Sequence, residues 1–152
     1  MSLAPATLRQ RIEARITSVL GPGVGSPEWN VSALAYDAFP GGDLDDVQAL
    51  SFAVGVPVTD FDSASRRQVG RQIAATTIVA VKFAKRLAAD GHVGDYDTAL
   101  GLEATLVAAV TGTTGDRGPA PAVFRVERGL HEADPALFVA DVWFRVFHQY
   151  PM

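Results

Sequence analysis

The C-terminal stretch LFVADVWFRVFHQYPM, residues 137–152, places apolar side chains on both sides of a strand. Successive side chains of an extended strand point to opposite faces. One face carries Phe138, Ala140, Val142, Phe144, Val146 and Tyr150. The other face mixes apolar and polar side chains: Leu137, Val139, Asp141, Trp143, Arg145, Phe147 and Gln149. One hydrophobic core covers only one of these faces, so Trp143 and Phe147 need shelter from a second source.

The composition indicates a single soluble domain over residues 1–152. A chain of 152 residues buries roughly 70% of its unfolded surface on folding and needs no cross-links. The absence of cysteine excludes disulfides, thiolate metal sites and a cysteine nucleophile. The net charge of -4 argues against a protein that binds nucleic acid over its whole surface. The N-terminal segment is predicted to be a helix and not an export signal, and no apolar run reaches the ~18 residues of a membrane span.

Two helices are predicted from the spacing of apolar residues. The first runs from about residue 5 to 20, with Leu8, Ile12 and Ile16 on its buried side. The second opens at Asp95 or Asp97, whose carboxylates can cap free backbone N–H groups, and ends at Gly112. A flexible loop is expected at 112–121, because glycine and proline dominate it.

The strands predicted from alternation and β-branched content lie at 29–36, 47–58, 69–87, 122–129 and 137–150. In the second of them, one face is predicted to carry Leu50, Phe52, Val54, Val56 and Val58. Pro57 should force the end of that strand toward a sheet edge or a bulge. Together the elements predict an α+β fold, in which a mostly antiparallel sheet built from two hairpins carries two main helices.

A search for chemistry predicts no catalytic residue, cofactor site or metal site. The three histidines lack the i, i+4 or HxH spacing of metal ligands: His92, His131 and His148. The cluster of Asp43, Asp45 and Asp46 lacks the later glutamate of a calcium loop. The stretch 111–118, TGTTGDRG, has glycines but no lysine before a helix, so it is not a phosphate-binding loop.

Asp141 is the one carboxylate inside a strongly apolar strand. Buried, it would have a raised pKa and could act as a base, although an ion pair with Arg145 on the same face is the plainer interpretation. The rival function is therefore a small α+β enzyme or ligand-binding domain whose pocket holds Asp141, His148 and Tyr150.

The charges are segregated along the chain. No basic residue lies between Arg15 and Arg66, where the acidic residues are Glu28, Asp37, Asp43, Asp45, Asp46, Asp60 and Asp62. No acidic residue lies between Asp62 and Asp90, where the basic residues are Arg66, Arg67, Arg71, Lys82, Lys85 and Arg86. Adjacent strands of one monomer could pair these charges at ~0.2–1 kcal/mol each. Alternatively, an acidic edge of one subunit meets a basic edge of the next in a head-to-tail ring.

The same two explanations apply to the second face of the C-terminal strand. Leaving a side chain such as Trp143 or Phe147 in water forgoes roughly 1.5–3 kcal/mol. A monomer would cover the two faces with one helix on each. An assembly would cover the second face with another copy.

The order of motifs resembles that of the tail terminator (tail completion) proteins of long-tailed bacteriophages and related phage-like particles. The motifs are a helix ending in a Gly-rich loop, the strand pair ALSFAVGVPVTDFD and RQIAATTIVAVKFAKRL, the helix DYDTALGLEATLVAAVTG, and a final hairpin closing on DVWFRVFHQY. The likeness covers most of residues 5–150. The likeness lies in the order of the helices and strands and in the types of residue that they contain.

The resemblance implies a structural virion protein with no catalytic centre or cofactor. Such proteins form a homo-oligomeric ring, typically of six subunits, at the head-proximal end of the tail. The ring binds the last tail-tube subunits, ends tube polymerisation and presents a surface to the head-side connector protein, with assembly in the host cytoplasm. A different head–tail connector, such as a stopper, is the alternative within virion assembly.

The second face of the C-terminal strand, the charge segregation and the resemblance together suggest which residues meet a neighbouring subunit or partner. They are Trp143, Arg145, Phe147, Arg66, Arg67, Arg71, Asp43, Asp45 and Asp46. The three arginines of 66–71 would face either a neighbour or the DNA that passes through the channel. The loop 112–121 would reach the tube.

Overall fold

The computed structural model describes residues 3–20, 50–61, 72–87, 93–112, 120–132 and 134–151. Within them are two helices, α1 (Pro5–Leu20) and α2 (Val93–Thr111), and four strands, β1 (Leu50–Phe61), β2 (Gln72–Arg86), β3 (Ala122–Leu130) and β4 (Leu137–Pro151). Several predicted features lie outside the described residues: the strand at 29–36, most of the loop 112–121, the acidic residues Asp43, Asp45 and Asp46, and the basic residues Arg66, Arg67 and Arg71.

The four described strands form one antiparallel sheet in the order β1-β2-β4-β3. Two hairpins, β1 with β2 and β3 with β4, join along the β2–β4 pair. That central pairing runs without a register shift from Gln72 opposite Pro151 to Arg86 opposite Leu137. The predicted α+β fold, with two hairpins in an antiparallel sheet and two helices, is confirmed.

Both helices contribute to a single hydrophobic core with one face of the sheet. Helix α1 contributes Leu8, Ile12 and Ile16, and α2 contributes Leu106 and Val110. The strands contribute Phe52, Val54, Val79, Val81, Phe83, Phe138, Ala140, Val142, Phe144 and Val146. The alternation of these positions along β2 and β4 is the pattern expected of a sheet buried on one face.

A buried acid on α2 ties the helix to the edge strand β3. Glu103 is buried, and its two carboxylate oxygens accept hydrogen bonds of 2.8 and 2.9 Å from Arg128. The bidentate pair raises the pKa of the Arg128 guanidinium above its usual value, chiefly through the hydrogen bonds to Glu103. A carboxylate on an apolar helical stripe requires such a partner, so Glu103 itself was the sequence signal for this contact.

Helix α2 begins at Val93, slightly before the predicted caps, and ends at Thr111 next to Gly112 as predicted. Asp95 lies in its first turn, where a carboxylate favours the positive end of the helix dipole. The Gly112 N–H donates to the Ala108 carbonyl at 2.8 Å. A Cβ at Gly112 would come within 2.7 Å of that same oxygen, so the close approach requires glycine.

An irregularity in β1 corrects the predicted face assignment of that strand. The β1–β2 register shifts between Gly55 and Val58, a segment that contains Pro57. The predicted edge position and bulge are therefore confirmed, but the strand continues to Phe61 beyond its predicted end. Because the bulge inserts residues without partners, Val58 pairs with Ile78 and leaves the face of Phe52 and Val54.

Two phenylalanines on β4 provide a matched test of the two faces. Phe144 is fully buried, whereas Phe147 is 67% exposed. We expect Phe144→Ala to lower the free energy of unfolding by about 3–5 kcal/mol, because it leaves a core cavity. Phe147→Ala should change the same quantity by no more than about 0.5 kcal/mol. Urea unfolding of the dilute protein measures both, and equal losses would contradict the face assignment.

Candidate interaction surface

The face of the sheet away from the helices is divided into a covered part and an uncovered part. Ser51, Ala53 and Ala84 on this face are fully buried, and Ala80 and Leu137 pack in the same cluster. Farther along the strands, Val58 is 47% exposed and Phe147 67% exposed. Among the residues that the structure describes, Trp143 is therefore half-buried against the covered cluster, whereas Phe147 lies in the exposed part of the face.

Three cross-strand rows lead from the covered cluster, which the half-buried Trp143 contacts, into the uncovered part of the face. Ala80, Trp143 and Arg125 form the first row, on β2, β4 and β3. Val58, Ile78 and Arg145 form the second, on β1, β2 and β4. Asp60, Thr76 and Phe147 form the third. We call the apolar and arginine side chains that β2, β3 and β4 contribute here the open patch: Ile78, Phe124, Arg125, Trp143, Arg145 and Phe147.

Stacking orders the arginines and aromatics of the open patch. The Arg125 guanidinium carbon lies 5.0 Å from the Trp143 ring centre, and that of Arg145 lies 4.3 Å from the Phe124 ring centre. Phe124 and Trp143 meet edge to face at 6.3 Å. Such contacts contribute about 0.5–1 kcal/mol at exposed sites and hold the charged groups beside the apolar surface. The patch is therefore preorganised for a partner.

Phe124 was missed as a patch residue because of a second bulge. Strict alternation in AVFRVERG would place Phe124 with Val126, which packs on the core. The β3–β4 register shifts between Val123 and Arg125, and the Phe124 ring contacts Trp143 and Arg145 on the other face. A bulge of this kind leaves no distinct signal in the sequence, so alternation alone could not have found it.

Asp141 does not form the predicted ion pair with Arg145. Arg145 stacks on Phe124, and the residues opposite Asp141 are Lys82 on β2 and Glu127 on β3. The Asp141 Oδ1 atom is buried and accepts no hydrogen bond within the described residues. Burial raises the pKa of the Asp141 carboxyl, Lys82 opposes that shift, and Glu127 adds to it. The prediction failed because cross-strand neighbours lie closer than residues four apart on one strand.

The three residues of the alternative pocket are not brought together. Asp141 lies on the side of β4 away from the helices, whereas His148 lies on the helix side and is buried. His148 Nε2 is 2.6 Å from Thr77 Oγ1, which is 2.9 Å from Thr59 Oγ1. Tyr150 packs edge to face on Phe61 at 5.0 Å. The sheet itself separates the carboxylate from the imidazole, so the two cannot share a proton transfer.

Within the part of the chain that the structure describes, no three histidine or acidic side chains cluster closely enough to hold a metal ion. In the same residues, no helix has the length and apolar character needed to cross a membrane.

Comparisons with known proteins support the fold. No protein-family model matches the chain, and no curated protein matches its sequence. Among solved structures, it is similar to a chain of the virion of a native gene transfer agent particle, with a TM-score of 0.54 and 17% identity. The match covers 95% of this chain and 92% of that chain. The likeness shows that the two share a fold over nearly their whole lengths.

The raised pKa of Asp141 predicts a pH-dependent effect of Asp141→Asn. A carboxyl whose pKa is raised on folding stabilises the fold only below its ordinary pKa, and that contribution is lost as the pH rises. At pH 7 the substitution should therefore increase the free energy of unfolding, by less than about 1 kcal/mol because water screens the site. The gain should vanish near pH 3, as measured by urea unfolding. A loss of stability at pH 7 would contradict this account.

Asp134 is the matched control, because its shift has the opposite sign. Its carboxylate accepts a 2.8 Å hydrogen bond from Arg86, which lowers the pKa of Asp134. Stability from a lowered pKa is present above the ordinary value and is lost as the pH falls through the folded-state value. Asp134→Asn should therefore destabilise the protein at pH 7 and lose that effect in acid.

Proposed function

We propose that this chain is a structural subunit of a phage-like virion, which forms a ring closing the tail tube at its head-proximal end. The observation that carries the proposal is the open patch, an ordered group of aromatic and arginine side chains on a sheet face that the described residues cover only in part. The fold likeness to a chain of a gene transfer agent virion supports it, since the match extends over 95% of the chain.

The character of the open patch favours assembly over catalysis. Interface hot spots are enriched in Trp, Tyr and Arg, and exposed apolar patches with polar surroundings mark sites of protein association. Trp143, Arg145 and Phe147 provide this combination on a sheet face. The enzyme alternative requires Asp141 and His148 in one pocket, and they lie on opposite sides of β4.

Within virion assembly, the proposed partners are the tail-tube protein on one side of the ring and the head-side connector on the other. The order of sequence motifs supports the tail terminator role. A stopper is the second candidate and predicts the same ring without control of tube length. The two roles therefore differ in what the ring does to tube polymerisation.

The test combines mass measurement in solution with negative-stain imaging, on the protein alone and with the tail-tube protein. We expect a closed ring, typically of six subunits, and tubes that stop growing when the ring is added. Each capped tube should carry ring density at one end.

A chain that remains strictly monomeric and leaves tube length uncontrolled would contradict the proposed function. A ring that binds the connector but does not stop tube growth would support the stopper. Adding an unrelated protein of similar charge is the control for nonspecific effects on polymerisation.

A further inference from the structure

We infer that, in the proposed ring, the open patch of one subunit binds the β1 edge of the next subunit around Asp60. The inference rests on the proposed function for the existence of a ring. It adds which two surfaces meet and which charges pair.

The two surfaces lie side by side on one sheet face, one at the β1 edge and the other across β2, β4 and β3. The order β1-β2-β4-β3 places β1 at one edge and β3 at the other. Asp60 pairs with Thr76 on the uncovered face, in the same cross-strand row as Phe147. An acid therefore marks the β1 edge, and Arg145 with the aromatic residues marks the β3–β4 side. On the β3–β4 side Arg125 pairs with Glu127 and Asp141 faces Lys82, so among the described residues Arg145 is the charge there that remains for Asp60 of a neighbour.

Arg145 is the cation most available to a partner. Its side chain is exposed, and within the described residues it rests on the Phe124 ring and not on a carboxylate. Arg125, in contrast, pairs with Glu127, and Arg128 with Glu103. An incoming carboxylate could thus pair with Arg145 without breaking an existing ion pair among these residues.

Asp60 is exposed at the complementary edge. Val58, in the adjacent row, is 47% exposed and adds an apolar contact beside Asp60. The β1 edge thus offers one carboxylate and one apolar side chain, which complement Arg145 and Phe147.

The placement of the charges favours a head-to-tail contact between copies. A head-to-tail contact joins two different surfaces of neighbouring subunits, and repetition about an axis closes a ring. Joining two β1 edges would bring acid against acid, and joining two patch edges would bring arginine against arginine. Only the pairing of unlike edges satisfies both charges. The occupant of the open patch is therefore a second copy.

The test uses surface variants and size measurement by light scattering with negative-stain imaging. Phe147→Asp damages the patch, and Asp60→Arg damages the edge. Each alone should weaken association at least about 30-fold, as expected of an interface hot spot, and should leave mainly monomers. Far-UV circular dichroism confirms folding, together with a urea midpoint that is unchanged at dilutions where the unaltered protein is also monomeric. Ala104→Asp on the exposed surface of α2 and Glu132→Arg in the β3–β4 turn are the matched controls, and both should form normal rings.

Mixing the two variants tests whether the surfaces bind each other. The intact patch of the Asp60→Arg protein should bind the intact edge of the Phe147→Asp protein and give a one-to-one complex. The double charge reversal Asp60→Arg with Arg145→Glu should restore rings, because the pair has been exchanged in sign.

The outcomes separate this inference from the proposed function. If the unaltered protein forms rings that cap tubes while both variants assemble like it, the surfaces named here are wrong and the function stands. A mixture that remains monomeric also contradicts the inference. An unaltered protein that neither assembles nor caps tubes contradicts the function itself.

Discussion

The pairing of β2 with β4 is the constraint on which the rest of the structure depends. Both strands have 15 residues, and their register is continuous from end to end. Every second residue of each strand is thereby committed to the helix side, which fixes Val79, Val81 and Phe144 in the core. The remaining residues are committed to the other face whether or not the chain can cover it. A register slip of one residue would exchange the two faces.

This division explains both what the protein can do and what it cannot. It places Asp141 and His148 on opposite sides of one strand, which removes the pocket chemistry that the sequence left open. It also places Trp143 and Phe147 on a face that the chain covers only at one end. Covering the rest by association would gain the burial that folding alone leaves unrealised. The proposal of a ring subunit rests on this incomplete cover and on the arginines beside it.

The sequence predicted the features that depend on periodicity and failed where the register changes. Helix α1, the end of α2 at Gly112 and both faces of β4 follow from regular spacing, which one sequence displays directly. Val58 was assigned to the wrong face because it follows a bulge that reverses the alternation. Phe124 was missed because it lies in a second bulge. The Asp141–Arg145 pair failed for another reason. The nearest charges come from neighbouring strands, and their register is a tertiary property.

A cryo-EM reconstruction of the assembled ring on its tube tests the central claim most directly, because it shows what lies over Phe147. In the single chain this side chain is 67% exposed. The account predicts that the assembled particle covers the Phe147 ring with the β1 edge of a neighbouring copy and places a carboxylate beside Arg145. A ring in which Phe147 remains as exposed as in the single chain would contradict it.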